Sequence, residues 1–252
     1  MFSLMLLCIG CQWQLKPGKD DENIQVRIQR YDRIESLYLT TGDYSALQQM
    51  KTYFPMQTRT LIEDVIGLGQ VNDPDINTKF LHFFQDSTLQ NMLQCVQQQY
   101  ADIDDINDEL SSAFERLKEE LPSLRIPEIY TQIGTFDQSI IVGHRMLGIS
   151  LDKYLGADYP FYCNHYSERQ RSMMTRSMIV PDCLAFYIMS QFPIQDGNVS
   201  QLDHDRYMGR IQWVVNEVTR RDVFDNEHVS AAGQLMKDNK KWTFEQLLRN
   251  KL

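Results

Sequence analysis

Long apolar runs are missing from the 252-residue sequence, and so is any excess of positive charge. No run approaches the roughly 20 consecutive apolar residues that a transmembrane helix needs. The formal net charge is -9 and the sequence pI is about 5.0. A chain of this charge is repelled by nucleic acid and by anionic lipid unless it carries a local basic patch. We therefore expect no nucleic-acid partner.

Known catalytic motifs are also missing. None of the five histidines has a second histidine four residues further on, so the two-histidine zinc motif of metallopeptidases is absent. Ser150 follows Gly148-Ile149 and precedes Leu151-Asp152, which lacks the second glycine of a nucleophile elbow. There is no glycine-rich phosphate loop. The sequence therefore indicates no reaction, no cofactor, no metal site and no small-molecule substrate.

The stretch from Pro127 to Gly156 has the pattern of β-strands in a chain that is otherwise patterned for helix. Apolar and polar residues alternate over 129–133, a β-branched run covers 140–143, and a third run covers 146–151. Short polar turns separate the three runs, which favours an antiparallel β-meander. With 42% hydrophobic residues and no internal linker, we predict an α+β fold, a mostly helical single domain around this small antiparallel meander.

Helices are predicted on both sides of the sheet from apolar spacing and from capping residues. Asp43, Asp86 and Ser200 are suited to N-cap positions. The segment 181–191 is apolar nearly all round, which is typical of a buried helix. The predicted helices cover 24–39, 44–53, 57–67, 76–84, 89–100, 103–121, 166–178, 181–191, 200–221 and 243–252.

The first 23 residues have a different character. Residues 1–11 form a short apolar run that ends in Ile9-Gly10-Cys11, which resembles the signal peptide and lipobox of a bacterial lipoprotein. We expect Cys11 to be lipidated, residues 12–23 to form a polar tether, and residues 24–252 to form the globular domain. Once Cys8 and Cys11 are set aside, Cys95, Cys163 and Cys183 cannot all pair with one another, so we expect no disulfide scaffold.

Several polar residues are candidates for binding or catalytic groups. His144, at a strand end, with Asp152 and Tyr154 could form a binding surface; the alternative is that Asp152 caps a turn and Tyr154 packs in the core. The run Asp203-His204-Asp205 does not converge on a helix, because neighbouring residues there point about 100° apart. Three arginines of 166–178 are best explained as a solvated helix face, and the alternative is a contact with lipid phosphates; they are Arg169, Arg171 and Arg176.

The order of short motifs along the chain resembles the GldB-type lipoproteins of Bacteroidetes. The most specific part is 148–156 followed by Asp158-Tyr159-Pro160 and Tyr162, similar to a G-L-D-x-Y-L-G-x-x-x-P-x-Y pattern. Arg30-Tyr31-Asp32-Arg33, Phe54-Pro55 and the segment 127–130 come before it in the same order. Together these motifs cover about 24–193.

The resemblance implies a cell-envelope lipoprotein associated with gliding motility. It would be held at the membrane by its lipid anchor, facing the periplasm or in the outer membrane, and would act with envelope protein partners. The family is similar in pattern to zinc-dependent peptidases, so the resemblance implies such a scaffold without its metal motif, and hence a non-enzymatic subunit of an assembly. The alternative is a metal-dependent hydrolase or peptidase with an unrecognised site.

Overall fold

The computed structural model describes residues 25–194 and 200–250, which fold as one α+β domain. Along these ranges, a first group of helices is followed by a three-stranded sheet and then by a second group of helices. The helices are α1 (Tyr31–Thr41), α2 (Tyr44–Tyr53), α3 (Pro55–Arg59), α4 (Ile76–Phe83), α5 (Ser87–Gln99), α6 (Asp104–Glu120), α7 (Pro160–His165), α8 (Glu168–Ser172), α9 (Ile179–Gln191), α10 (Gln201–Thr219), α11 (Glu227–Asp238) and α12 (Phe244–Leu248). The strands are β1 (Glu128–Gln132), β2 (Ile140–Gly143) and β3 (Met146–Ser150).

The sheet is mixed, with strand order β1-β3-β2. β2 and β3 form the antiparallel hairpin that the sequence predicts, but β1 pairs parallel with β3, with Tyr130 opposite Gly148. The predicted antiparallel meander is therefore wrong for β1. Parallel neighbours need a crossover connection, and here the loop 133–139 together with β2 supplies it by passing over the end of β3.

Segment 25–30 is extended, although its apolar spacing predicts a helix from residue 24. Gln29 donates its N–H to the Ile129 carbonyl (2.8 Å) and accepts the N–H of Thr131 (3.0 Å), so this segment lies along the outer edge of β1. Ser111 and Asn107 of α6 bind the N–H groups of Val26 and Ile28. The helix begins only at Tyr31 because those backbone groups are already bound.

The helices bury the faces that the sequence indicates. In α6 the buried stripe contains Ile106, Leu110, Phe114 and Leu117, with acidic residues in the first turn. Asp43, Asp86 and Ser200 accept backbone N–H groups as N-caps of α2, α5 and α10, as predicted. α9 is buried over most of its surface and packs on β2 and β3.

Two further helical predictions differ from the structure, and two helices were missed. Residues 166–178 form only the short α8 and a 3₁₀ turn at Arg176–Met178, and the predicted helix over 57–67 is divided between α3 and a π-helix at Thr60–Val65. α7 and α11 were not predicted.

The predicted signal peptide (1–11), Cys11 and the tether (12–23) lie outside the described residues. Among those described, Cys95, Cys163 and Cys183 are free thiols. No helix of the described part of the chain is both long and apolar enough to cross a bilayer.

Candidate functional site

The loop after β1 is fixed by acidic side chains from two other elements. Asp152, two residues after the end of β3, accepts the N–H of Gly134 at 2.6 Å with one carboxylate oxygen and the N–H of Phe136 at 2.7 Å with the other. Glu35 of α1 accepts the N–H of Ile133 at 2.9 Å. Asp152 and Glu35 are both fully buried. Because the loop passes over the end of β3, the carboxylate of Asp152 near that end reaches the N–H groups of the loop.

Burial sets the protonation of these two carboxyl groups. It raises the pKa of Asp152 to about 6, opposed by the two N–H groups that the carboxylate accepts. Burial also raises the pKa of Glu35 well above its usual range, opposed by the Ile133 N–H. These groups are structural acceptors and are closed to solvent.

Tyr154 joins the segment after β3 to helix α9. Its hydroxyl donates to Oδ2 of Asp182 at 2.8 Å, and its carbonyl accepts the Tyr100 hydroxyl at 2.5 Å. Burial raises the pKa of Asp182 to about 6, and the Tyr154 hydrogen bond opposes this rise. Tyr154 is 1% exposed. The expectation that Asp152 and Tyr154 share a binding surface with His144 is therefore corrected: both are buried, as in the alternative of a turn cap and a core residue.

The residues that carry the family resemblance are largely structural. The Tyr162 hydroxyl donates a hydrogen bond to the Asp152 carbonyl and accepts one from the Leu155 N–H, and Tyr162 is fully buried. Arg30 pairs with Asp32 (2.8 Å) and binds the Tyr100 carbonyl (2.7 Å). These motifs therefore hold the sheet to the helices around it, and a binding surface has to be sought elsewhere.

Helix α9, the long buried helix that follows the sheet, contains no histidine. Asp182 and Phe186, four residues apart, lie on the side of α9 that reaches solvent, and Phe186 is 37% exposed. Within residues 25–194 and 200–250, no three His, Cys, Asp or Glu side chains are grouped so that they could hold a metal ion. The exposed His144 lies at the opposite end of α9 from Asp182, near Ser190 and Gln191.

The outer edge of β2 has unpaired backbone groups. The Ser150 N–H donates to the Ser139 carbonyl at 2.9 Å, which makes residues 139 and 150 a hydrogen-bonded pair. Hydrogen-bonded and non-hydrogen-bonded pairs alternate along an antiparallel ladder. Ile141 and Gly143 therefore bond to β3, while the N–H and C=O groups of Ile140 and Val142 point outward. No hydrogen bond from elsewhere in the described residues reaches those outward groups. Ile140 is 6% exposed and Val142 is 40% exposed, so the edge is open to solvent at Val142.

A cleft of about 540 Å³ adjoins this edge at the turn between β2 and β3. It lies between the hairpin turn, the segment that leads into β1, and the C-terminal end of α9. Its lining consists of Ser123, Arg125, Ile126, Pro127, Val142, Gly143, His144, Arg145, Met146, Leu147, Tyr187, Ser190 and Gln191. His144 is the one residue of the predicted surface that reaches this cleft. Sequence reasoning missed Val142 and the two arginines, because strand order and edge position have no signal in the alternation of residues.

The other candidates do not form a site. His204 and Asp205 are neighbours with side chains 3.9 Å apart. Asp203 is engaged with Ser200, the N-cap of α10, which accepts the Asp203 N–H and donates its hydroxyl to the Asp203 carboxylate. Arg176 binds Asp105 in an ion pair at 2.6 Å, and Arg171 binds the Ala157 carbonyl at 2.8 Å. Of the three arginines weighed as lipid contacts, these two are engaged within the fold.

Comparison with known protein families gives a match over most of the chain. The family model described as gliding motility protein GldB matches residues 12–251. No curated protein and no solved structure matches the chain.

Proposed function

Because this chain belongs to the gliding motility protein GldB family, we propose that it is a non-enzymatic binding subunit of a cell-envelope assembly. The family is one of lipoproteins, which implies an envelope protein held by a lipid anchor. In our proposal Cys11 carries that anchor, and the open edge of β2 receives an extended segment of a partner protein as an additional strand.

The observation that carries this proposal is the outward-facing backbone of Val142. An exposed strand edge offers N–H and C=O groups that an extended segment can pair with, and natural proteins usually blunt or cover such edges. The opposite edge of the sheet is covered by segment 25–30, so the fold protects one edge and leaves the other open. The exposed side chain of Val142 adds apolar area at the open edge.

The binding edge is tested with a proline at Val142. Proline removes the outward N–H, which makes no bond within the fold, and prolines are tolerated on edge strands. We expect V142P to lose the partner in a pull-down from native membranes while its melting temperature changes little. V142T keeps the N–H and the branched side chain, and is the matched control. Equal recovery of the partner by V142P and V142T would contradict the proposed edge.

The lipid anchor is tested separately, by metabolic labelling with a fatty-acid probe. Firm anchoring takes more than one acyl chain, as in lipoproteins that carry a lipidated N-terminal cysteine. We expect label on the wild-type protein and none on C11S. Label that persists in C11S would refute the assignment of Cys11.

A third experiment tests the alternative, that the protein is a metal-dependent hydrolase. The purified protein is dialysed mildly and its metal content measured. About one zinc per chain, lost when His144 or His165 is replaced, would favour the enzyme over the binding subunit.

A further inference from the structure

The cleft beside β2 has a charge opposite to that of the whole protein. Its lining includes two arginines and one histidine, Arg125, Arg145 and His144, and contains no aspartate or glutamate. The chain as a whole has a net charge of -9. A site of one charge sign on a protein of the other sign selects its ligand by charge, because it attracts what the rest of the surface repels.

The two guanidinium groups are available for a ligand. Arg125 and Arg145 are exposed, and within the described residues their side chains make no hydrogen bond or ion pair; only their carbonyls are used, by the Tyr187 hydroxyl and the Glu128 N–H. Other arginines of this fold are engaged, such as Arg176 with Asp105 and Arg221 with Glu109. Arg145 also has a left-handed backbone, with φ of 63°. Non-glycine residues adopt that conformation uncommonly, and it places this side chain at the tip of the hairpin.

Two negative features near the cleft oppose the binding of an anion. The C-terminal end of α9 carries a partial charge of about half an electron, and Glu128 is exposed at the start of β1. Glu128 does not line the cleft, and it pairs with neither arginine. Two full positive charges within the lining outweigh about half a negative charge at the helix end, so the cleft favours anions.

We propose that this cleft binds acidic side chains of the extended segment that pairs with β2. The inference rests on the proposed function, since it names the chemistry of the partner for the same edge. Val142 and Gly143 belong both to the edge strand and to the cleft, so a segment paired along β2 continues directly into it. Guanidinium groups bind carboxylates in paired hydrogen bonds, which suits glutamate or aspartate there. A concave cleft that joins a strand edge fits an extended peptide better than a flat lipid surface.

The test uses the full-length protein and three fluorescent peptides of ten residues. In the neutral peptide valine and threonine alternate; in the other two, the last three residues are glutamate or lysine. Binding is measured by fluorescence anisotropy. We expect the acidic peptide to bind about tenfold more tightly than the neutral one, equivalent to about 1.4 kcal/mol shared by two arginines. In R125Q/R145Q this preference should fall to about twofold or less, with affinity for the neutral peptide unchanged. R169Q removes an exposed arginine of α8 and should keep the preference.

The outcomes separate this inference from the proposed function. If the neutral peptide binds, and is lost in V142P, but the acidic peptide has no advantage, the edge stands and the charge inference is wrong. If the neutral peptide does not bind, or binds V142P as well as wild type, the proposed edge fails. Vesicles with phosphatidylglycerol provide the remaining arm. Two results together would overturn the inference in favour of a lipid contact. The R125Q/R145Q variant would lose the vesicle binding of the wild type, and it would keep the wild-type preference for the acidic peptide. Melting curves of V142P and R125Q/R145Q confirm that these variants fold.

Discussion

The hydroxyl of Tyr154 donates a 2.8 Å hydrogen bond to Asp182, and this contact joins the segment after the central strand to the buried helix beneath the sheet. Tyr154 is 1% exposed, while Asp182 is partly accessible from one side. The Asp182 carboxyl on helix α9 is therefore held by a hydrogen bond from within the fold.

Replacing Tyr154 by phenylalanine tests that contact. The change removes the donor and leaves the Asp182 carboxylate with one partner fewer, so we expect the free energy of unfolding to fall by about 1 to 2 kcal/mol. The measurement is urea denaturation at pH 7. Y53F is the matched control, because Tyr53 is 71% exposed and its hydroxyl makes no hydrogen bond among the described residues. A loss in Y154F no larger than in Y53F would contradict the role given to the hydroxyl.

The pH dependence of stability follows from Asp182. Burial raises its pKa from 3.8 to about 6, so between these values the folded state holds a proton that the unfolded state has released. Stability due to this group is therefore greatest below about pH 4 and decreases as the pH rises to 6, by about 2 kcal/mol. D182N should flatten this part of the curve. Asp152 contributes in the same direction, so the curve of D182N keeps some slope.

Asp105 is the control of opposite sign. Its hydrogen bond with Arg176 lowers the pKa of the carboxyl, so the stability that it adds is present at neutral pH and is lost as the pH falls. D105N should therefore lower stability at pH 7 and have less effect in acid. If D182N and D105N changed the curve in the same direction, the assignment of the two carboxyl groups would be wrong.

The loop after β1 depends on Asp152. In D152A the N–H groups of Gly134 and Phe136 lose their acceptor in a buried site, and each such loss costs about 1 to 3 kcal/mol. We expect a total loss of about 3 kcal/mol in thermal or urea unfolding. Asp137 lies in the same loop and is exposed, so D137A should change stability by less than about 0.5 kcal/mol. Equal losses in the two variants would exclude the proposed role of Asp152.

Close packing of the sheet on Tyr130 explains a glycine in the central strand. A Cβ atom at Gly148 would lie 2.6 Å from the Tyr130 ring, so G148A should destabilise the protein by about 1 to 3 kcal/mol. At Gly143 in the edge strand the nearest atom would be 3.8 Å away, and G143A should be nearly neutral. Replacing Tyr130 with leucine in the G148A background should recover part of the loss, and strictly additive effects of the two changes would contradict the clash.

Local sequence signals predicted most of the helices and strands. The predictions failed where a segment pairs with residues far away in the sequence. Helix α2 has the predicted bounds, and its cap at Asp43 is confirmed, because capping and apolar spacing are properties of a few neighbouring residues. Segment 25–30 was predicted as helix and is extended, since Gln29 pairs with a strand a hundred residues away. Alternation along β1 could not show that it runs parallel to β3, and so could not show which strand forms the open edge. The burial of Asp152 and Tyr154 likewise depends on the crossing of loop 133–139 over β3.

Hydrogen exchange at the Val142 amide tests the central claim most directly. The Val142 amide points away from β3 and belongs to a residue that is 40% exposed, whereas the amides of Ile141 and Gly143 bond within the hairpin. In the free protein, NMR should show fast exchange at Val142 and slow exchange at Ile141. Saturation with the neutral ten-residue peptide should slow exchange at Val142 at least tenfold while Ile141 changes little. A Val142 amide that exchanges as slowly as that of Ile141 in the free protein, or at the same rate with and without the peptide, would contradict the account.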